Sequence, residues 1–88
     1  MSSTSLTVLY FAWVKEKIGC GAEDVCPPAS VETVAALMDW LAGRSPGHAA
    51  AFADRTLVKA AVDQVHALPY ARLDGAREVA FFPPVTGG

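Results

Sequence analysis

The sequence predicts an α+β fold in which one main helix packs across a mixed sheet. Runs rich in β-branched and aromatic residues lie towards both ends of the chain, as is typical of strands. Between them lies one segment whose apolar residues recur with the helical period. Strands grouped around one such helix indicate an α+β domain, and 88 residues are enough for a single core without disulfides or metal ions.

The first strand is predicted over residues 5–14. Their run SLTVLYFAWV is apolar on both faces, which favours a central position in the sheet. A helical turn that ends at Gly19 follows. A short strand is predicted around Val25, and the prolines at 27–28 terminate it because proline has no amide hydrogen for the ladder.

The main helix is predicted over residues 30–43. Ser30 is the candidate N-cap, Glu32 suits the positive end of the helix dipole, and Gly43 ends the helix. One apolar stripe with the spacing i, i+3, i+4, i+7 indicates the face that packs on the core. Its members are Val34, Leu37, Met38 and Leu41.

A second, shorter helix is predicted over residues 46–52, which begin with a proline, a residue that suits the first helical position. Strands follow over residues 57–65 and 77–82. Asp63-Gln64 is a candidate turn within the first of them, and Gly75 belongs to a turn before the second. This order of elements is the outline of a β-grasp, ubiquitin-like domain.

Composition excludes several classes of function. Seven basic and nine acidic residues give a net charge of −2, which argues against binding nucleic acid or a membrane surface through basic charge. No apolar run approaches the roughly 20 residues of a membrane span, and the start lacks the pattern of a signal peptide. We therefore expect a cytoplasmic protein, whose 52% of hydrophobic residues leave apolar surface for a partner protein.

Residues that carry chemistry in enzymes are sparse. No P-loop, GxGxxG, HExxH or GxSxG motif occurs in the sequence. His48 and His66 have no clustered partners in sequence and are expected at the surface or in loops. Cys20 and Cys26 lack metal-binding spacing and activating neighbours, so we expect free thiols, no metal site and no bound cofactor. Both tryptophans fall inside predicted elements and are expected in the core: Trp13 and Trp40.

The C-terminal stretch EVAFFPPVTGG is the unusual feature of the chain. Pro83 and Pro84 favour an extended backbone and are expected to hold the end of the chain away from the fold. Gly87 and Gly88 have no side chains and suit a narrow channel, and the terminal α-carboxylate is ionised at neutral pH. From Pro83 onwards the tail reaches roughly 20 Å at about 3.4 Å per residue.

Strand alternation separates the adjacent aromatic residues Phe81 and Phe82, which together form the candidate partner interface. Only one of them faces the core, and the other is placed to anchor a partner. Phe81, in phase with Val79, is the one we expect in the core. The sequence thus divides into a domain over residues 1–82, whose first five residues are expected to be disordered, and an extended tail over residues 83–88.

Four segments resemble the small, sulfur-carrying subunits of molybdopterin synthase, which act in molybdenum cofactor synthesis. EVAFFPPVTGG is similar to that family's C-terminus, and LTVLYFAWVKEKIG is similar to its first strand and helix. VETVAAL and LVKAAVDQ resemble its central helix and third strand. Two departures concern turns: Asp63 stands where the family has Asn, and the Asp-Gly of LDGAREV lies one residue earlier than in the family.

The resemblance implies that this chain carries sulfur and is not an enzyme on its own. A ubiquitin-activating-like enzyme would use ATP to adenylate the carboxylate of Gly88, and a persulfide donor would then convert it to a thiocarboxylate. The tail would enter the large synthase subunit, where the sulfur passes to cyclic pyranopterin monophosphate. The tail residues that insert are Pro83, Pro84, Val85, Thr86 and Gly87.

Three other functions share the predicted fold. The related sulfur carrier of thiazole synthesis also ends in Gly-Gly, although FFPPVTGG favours the molybdopterin branch. A protein modifier conjugated to lysines would leave lysine adducts in cells. A plain β-grasp binding module would be indifferent to the loss of Gly87 and Gly88.

Overall fold

A computed structural model describes residues 5–84 of the chain. Its strands are β1 (Leu6–Tyr10), β2 (Ala22–Val25), β3 (Lys59–Val62), β4 (Val65–Ala67) and β5 (Glu78–Phe82). Its helices are α1 (Ala12–Ile18), α2 (Val34–Ala42) and α3 (Pro46–Ala51), with a 3₁₀ turn at Arg55–Leu57. The expectations for residues 1–4 and 85–88 lie outside the described residues and stay predictions.

The five strands form one mixed sheet in the order β2-β1-β5-β3-β4. The two central strands, β1 and β5, are parallel, and the other neighbouring pairs are antiparallel. Joining two parallel neighbours requires a long crossover connection, and the helices α1, α2 and α3 lie in that crossover. The arrangement is the β-grasp that the order of elements predicted.

The core lies between the sheet and the helices. Every member of the predicted apolar stripe of α2 is at most 4% exposed. At the end of the sheet where β5 finishes, the ring of Phe81 stacks on Tyr10 with 6.4 Å between centroids and meets Phe52 edge-on at 5.0 Å. This aromatic cluster therefore supports the last residues of β5.

The first strand is shorter than the sequence predicted. It ends at Tyr10, and Trp13 belongs to α1 instead of continuing the strand. The antiparallel partner strand β2 begins at Ala22, opposite Leu9, so the residues beyond Tyr10 have no ladder on that side. The chain turns into α1, which buries Val14 in the core and ends at Gly19 with φ 100°, as predicted.

The main helix begins three residues later than predicted. Thr33 is the N-cap, and its hydroxyl accepts a hydrogen bond from the N–H of Ala36 at 3.1 Å. Thr33 has an extended backbone and forms an isolated bridge with Arg72 directly before the helix, whereas Ser30 lies in a turn before that bridge and does not cap the helix. Glu32 therefore lies before the helix, 3.2 Å from the guanidinium of Arg72, and not in its first turn.

The remaining boundaries agree with the predictions in most respects. Gly43 follows α2 as its C-cap, and a proline opens α3. Asp63 and Gln64 form the turn between β3 and β4 with φ of 48° and 71°, and Gly75 takes φ 71° in the next turn. The two tryptophans were expected in the core, but both are half-buried and pack against its edge.

Candidate functional site

The tail leaves the fold at the end of β5. The strand finishes at Phe82, and Pro83 and Pro84 follow it as half-buried residues outside any helix or strand. We call Phe82–Pro84 the tail root. The predicted insertion residues Val85, Thr86 and Gly87 and the predicted reactive residue Gly88 lie outside the described residues, so their roles stay predictions.

The structure gives the two adjacent aromatic residues different surroundings. Phe81 has no exposed surface and lies in the core, as its phase with Val79 predicted, so it offers no surface of its own to the predicted partner interface. Phe82 points to the other side of the sheet, is half-buried, and meets the ring of His66 edge-on at 5.4 Å. Phe82 alone of this pair is available to a partner.

Phe82 belongs to an apolar surface that the helices do not cover. The strand register places its members on one side of the sheet, because cross-strand partners share a face: Leu9, Ala61, His66, Ala80 and Phe82. The exposed Lys59 lies opposite Phe82 and borders this surface on the same side. Ala61 and Ala80 lie at the centre, are 9% and 8% exposed, and are not part of the helix-covered core cluster. We call these five residues the open face.

The open face has features of a protein-binding surface. Two small side chains lie at its centre, Leu9 and His66 flank them in the strand register, and aromatic residues such as Phe82 are enriched in protein interfaces. Phe11, 49% exposed, lies just beyond the end of β1 and donates its N–H to the carbonyl of Phe81 at 3.1 Å. The apolar surface thus reaches the point where the tail leaves the sheet.

One histidine was wrongly expected at the surface. His48 is 7% exposed, and its Nε2 lies 2.6 Å from Glu23 Oε2, which also accepts a hydrogen bond from Tyr10 Oη at 2.5 Å. The other ring nitrogen, Nδ1, lies 2.7 Å from Ser45 Oγ. We call Tyr10, Glu23, Ser45 and His48 the Tyr10 network. His66 is exposed, as expected.

The Tyr10 network contains an acid that stays ionised although it faces the core side of the sheet. Partial burial acts to raise the pKa of Glu23, but hydrogen bonds from Tyr10 and His48 and the nearby charges of His48 and Arg44 hold that pKa below its usual value. Burial and the hydrogen bond to Glu23 raise the pKa of Tyr10, so its phenol keeps its proton. The network therefore pairs a carboxylate with a permanent donor.

We expect Glu23 to stabilise the fold near neutral pH and to lose that contribution in acid. Because its folded pKa is lowered, the contribution is complete above the unfolded value of about 4.3 and disappears as the pH falls through the folded pKa. In urea unfolding between neutral and acidic pH, Glu23→Gln should lose part of the stability at neutral pH and show a weaker dependence on acid than the wild type.

Asp24→Asn is the matched control, since Asp24 is the next residue on β2 and points to the opposite side. It should keep the wild-type acid dependence that comes from Glu23. An identical pH dependence of unfolding in the wild type and Glu23→Gln would contradict the proposed role of this carboxylate.

Other chemistry is scarce in residues 5–84. Within that range, no group of three or more His, Cys, Asp or Glu side chains is arranged to hold a metal ion. Cys20 is half-buried, Cys26 is exposed, and neither forms a disulfide. None of the helices in that range is both long and apolar enough to cross a bilayer.

The structure brings together some of the predicted site residues and adds others. Phe82, a member of the open face, continues directly into Pro83 and Pro84. Sequence reasoning missed Leu9 and the alanines Ala61 and Ala80, because small residues give no local signal of an interface. The alternation within β1, β3 and β5 contains that information, but only the strand order shows that the three faces are one surface.

Comparisons with known proteins agree with this architecture. The model of the ThiS family matches residues 8–88. The molybdopterin synthase sulfur carrier subunit of Escherichia coli (strain K12) is 41% identical over 83 residues, which cover 94% of this chain and 99% of that protein.

Two solved structures share the fold. SAMP1 from Haloferax volcanii has a TM-score of 0.72 at 24% identity and covers 97% of this chain and 100% of its own. A Pyrococcus furiosus chain assigned as molybdopterin converting factor subunit 1 has a TM-score of 0.66 at 24% identity, with 94% and 100% covered. These likenesses confirm the predicted β-grasp class.

Proposed function

Because the chain belongs to the ThiS family, we propose that it is the sulfur carrier subunit of a molybdopterin synthase. The Escherichia coli relative, which aligns over nearly its whole length, supports this function over thiazole synthesis. The partner that receives the tail is then the large synthase subunit, and this chain acts as its tethered sulfur donor and not as a catalyst on its own.

The chemistry takes place at the carboxylate of Gly88. An adenylating enzyme joins this carboxylate to ATP, forming an acyl-adenylate and releasing pyrophosphate. A persulfide sulfur then attacks the acyl carbon and expels AMP, and a thiol cleaves the resulting S–S bond to leave a thiocarboxylate. In the large subunit the thiocarboxylate sulfur passes to cyclic pyranopterin monophosphate, and water returns the carboxylate; two such transfers supply both sulfur atoms of the dithiolene.

The observation that supports this proposal most strongly is where the tail begins. Phe82 is both the last residue of β5 and a member of the open face, and the two prolines follow at once. A partner that binds the open face therefore holds the tail root as well. Docking and delivery of the reactive end become one event, which removes most of the entropy cost of bringing the reactants together.

The proposal is tested by the intact mass of the protein isolated from its own cells and by reconstitution. We expect a species in which one oxygen of the C-terminal carboxylate is replaced by sulfur, and conversion of cyclic pyranopterin monophosphate when the large subunit is added. Sulfur delivery to thiazole synthesis alone, or lysine adducts of this chain without pterin conversion, would establish one of the other two functions instead.

We expect Gly87→Val to keep the fold and the open face but to lose most adenylation or sulfur transfer. The variant keeps the terminal carboxylate, so it separates the shape of the tail from its chemistry. A β-branched side chain resists the backbone conformations open to glycine and overfills a channel shaped for bare backbone.

The measurement for Gly87→Val is ATP-dependent thiocarboxylate formation by mass, followed by single-turnover sulfur transfer. Thr86→Val is the matched control, since it places the same side chain one position earlier, away from the glycine pair, and should lower activation and transfer much less than Gly87→Val. Wild-type rates for Gly87→Val in both steps would show that Gly-Gly is required for some other reason.

A further inference from the structure

The Tyr10 network contacts the residue that directly precedes the tail root. Tyr10 is the last residue of β1 and pairs in register with Phe81, and the rings of the two residues stack. The next residue, Phe11, donates its N–H to the carbonyl of Phe81. A displacement of Tyr10 therefore moves Phe81, which directly precedes the tail root.

The network holds Tyr10 from the side opposite β5. Its phenol is fixed by Glu23 of β2, and Glu23 is in turn fixed by His48 of α3. The ring of His48 also meets the ring of Tyr10 edge-on, with 6.0 Å between centroids. Two elements outside the central pair of strands thus hold the last residue of β1 in place.

The hydrogen bonds of the network leave none of its side-chain groups without a partner. A carboxylate only accepts, so Tyr10 Oη and His48 Nε2 both donate to Glu23. His48 Nδ1 accepts from the hydroxyl of Ser45 when the ring is neutral and donates to it when the ring is protonated. Ser45 Oγ accepts in turn from the backbone N–H of His48 at 3.2 Å. A fully satisfied network of this kind specifies one geometry, whereas apolar packing alone allows several.

Helix α3 is itself seated with little freedom to move. A Cβ atom added at Gly47 would lie 2.4 Å from the backbone oxygen of Lys17, so α3 packs backbone to backbone on the end of α1. His48 follows Gly47 directly. The network is therefore anchored on a rigid support and not on a mobile surface side chain.

We infer that Tyr10, Glu23 and His48 are positioning residues for the tail: they fix the direction in which β5 passes into Phe82 and the two prolines. The inference rests on the proposed function. When the open face is docked, the orientation of the tail root decides where the chain end arrives. A small change of angle at the root grows along a tail that its two prolines are expected to keep extended, so the network controls the transfer step and not the docking step.

The test is Tyr10→Phe, which keeps the buried ring and removes only the hydroxyl. With thiocarboxylated carrier and the large subunit, we expect kcat to fall about tenfold and KM for the carrier to change less than about twofold, because a misplacement of less than about 1 Å slows chemistry without weakening docking. Glu23→Gln should lower kcat in the same direction. The amide of Phe11 should exchange with deuterium faster in both variants, a readout that requires no partner.

Thr7→Val is the matched control. Thr7 Oγ1 donates to Asp24 Oδ1 at 2.9 Å, which is the other side-chain hydrogen bond between β1 and β2, and it lies at the far end of β1 from the tail root. Its loss should leave kcat and the exchange of Phe11 at wild-type values. The assays are made well below the melting temperature of each variant, so that all are fully folded.

Two results would overturn the inference. One is an unchanged kcat and an unchanged Phe11 exchange in Tyr10→Phe. The other is an equal loss of kcat in Thr7→Val, which would show general loosening of the sheet. If the wild type transfers no sulfur at all, the proposed function fails instead, and the amide exchange of Phe11 alone decides whether the network holds the tail root.

Discussion

Deleting Gly88 is expected to abolish sulfur transfer while leaving the domain folded and able to bind its partner. The variant still ends in a carboxylate, but that carboxylate belongs to Gly87 and lies one residue short of the place where the tail is expected to react. Its shift of about 3.4 Å is larger than the roughly 1 Å that already costs a hundredfold in rate. The measurement is pterin conversion with the large subunit and a sulfur source.

Binding to the large subunit supplies the control for this deletion. The open face ends at Phe82, six residues before the missing glycine, so the dissociation constant should change much less than the rate. A variant extended by one extra glycine tests the same idea in the other direction. It keeps the Gly-Gly pair but places the terminal carboxylate one residue beyond the position where it is expected to react. Normal turnover by the truncated chain would exclude the tail as the carrier of the sulfur.

Replacing Phe81 by alanine is expected to cost about 3–5 kcal/mol of folding free energy, the range for a fully buried Phe. The side chain has no exposed surface and contacts both Tyr10 and Phe52, so its removal leaves a cavity in the middle of the aromatic cluster. A domain of this size has little stability beyond that amount. Urea unfolding measures the loss as a midpoint at a much lower urea concentration than that of the wild type.

Phe82→Ala is the matched partner of that experiment, because it removes the same atoms one residue away on the other face. Phe82 is half-buried and contacts His66, so its loss should change stability much less than the loss of Phe81. It should weaken binding of the large subunit instead, since buried aromatic anchors carry much of the energy of an interface. Similar stability losses for both variants, with unchanged affinity, would contradict the division of roles.

The features that sequence reasoning placed correctly depend on local chemistry. Gly19, Gly75 and the pair Asp63-Gln64 take left-handed backbone angles at the ends of elements, and such positions favour a few residue types. The stripe of α2 follows from the helical period alone. The separation of Phe81 from Phe82 follows from the two-residue repeat of a strand, which holds in any sheet.

The errors of boundary arose where local signals are ambiguous. The run SLTVLYFAWV is apolar throughout, and nothing in it marks Tyr10 as the last residue with a strand partner. Ser30 and Thr33 are both acceptable N-caps by residue type, and the bridge between Thr33 and Arg72 selects the second. In each case a contact with a residue distant in sequence determined where the element ends.

The sequence by itself determined the fold class, the turns and a glycine-terminated tail after a pair of prolines, because backbone angles and side-chain periods are properties of short segments. Only the tertiary structure decided that Leu9, Ala61, Ala80 and Phe82 form one surface beside the tail root. It also decided that His48 is buried against Glu23 and Tyr10, residues that lie 25 and 38 positions away in the chain. Such sites require strand order and helix packing, which bring distant residues together, and no local pattern encodes the distance between them.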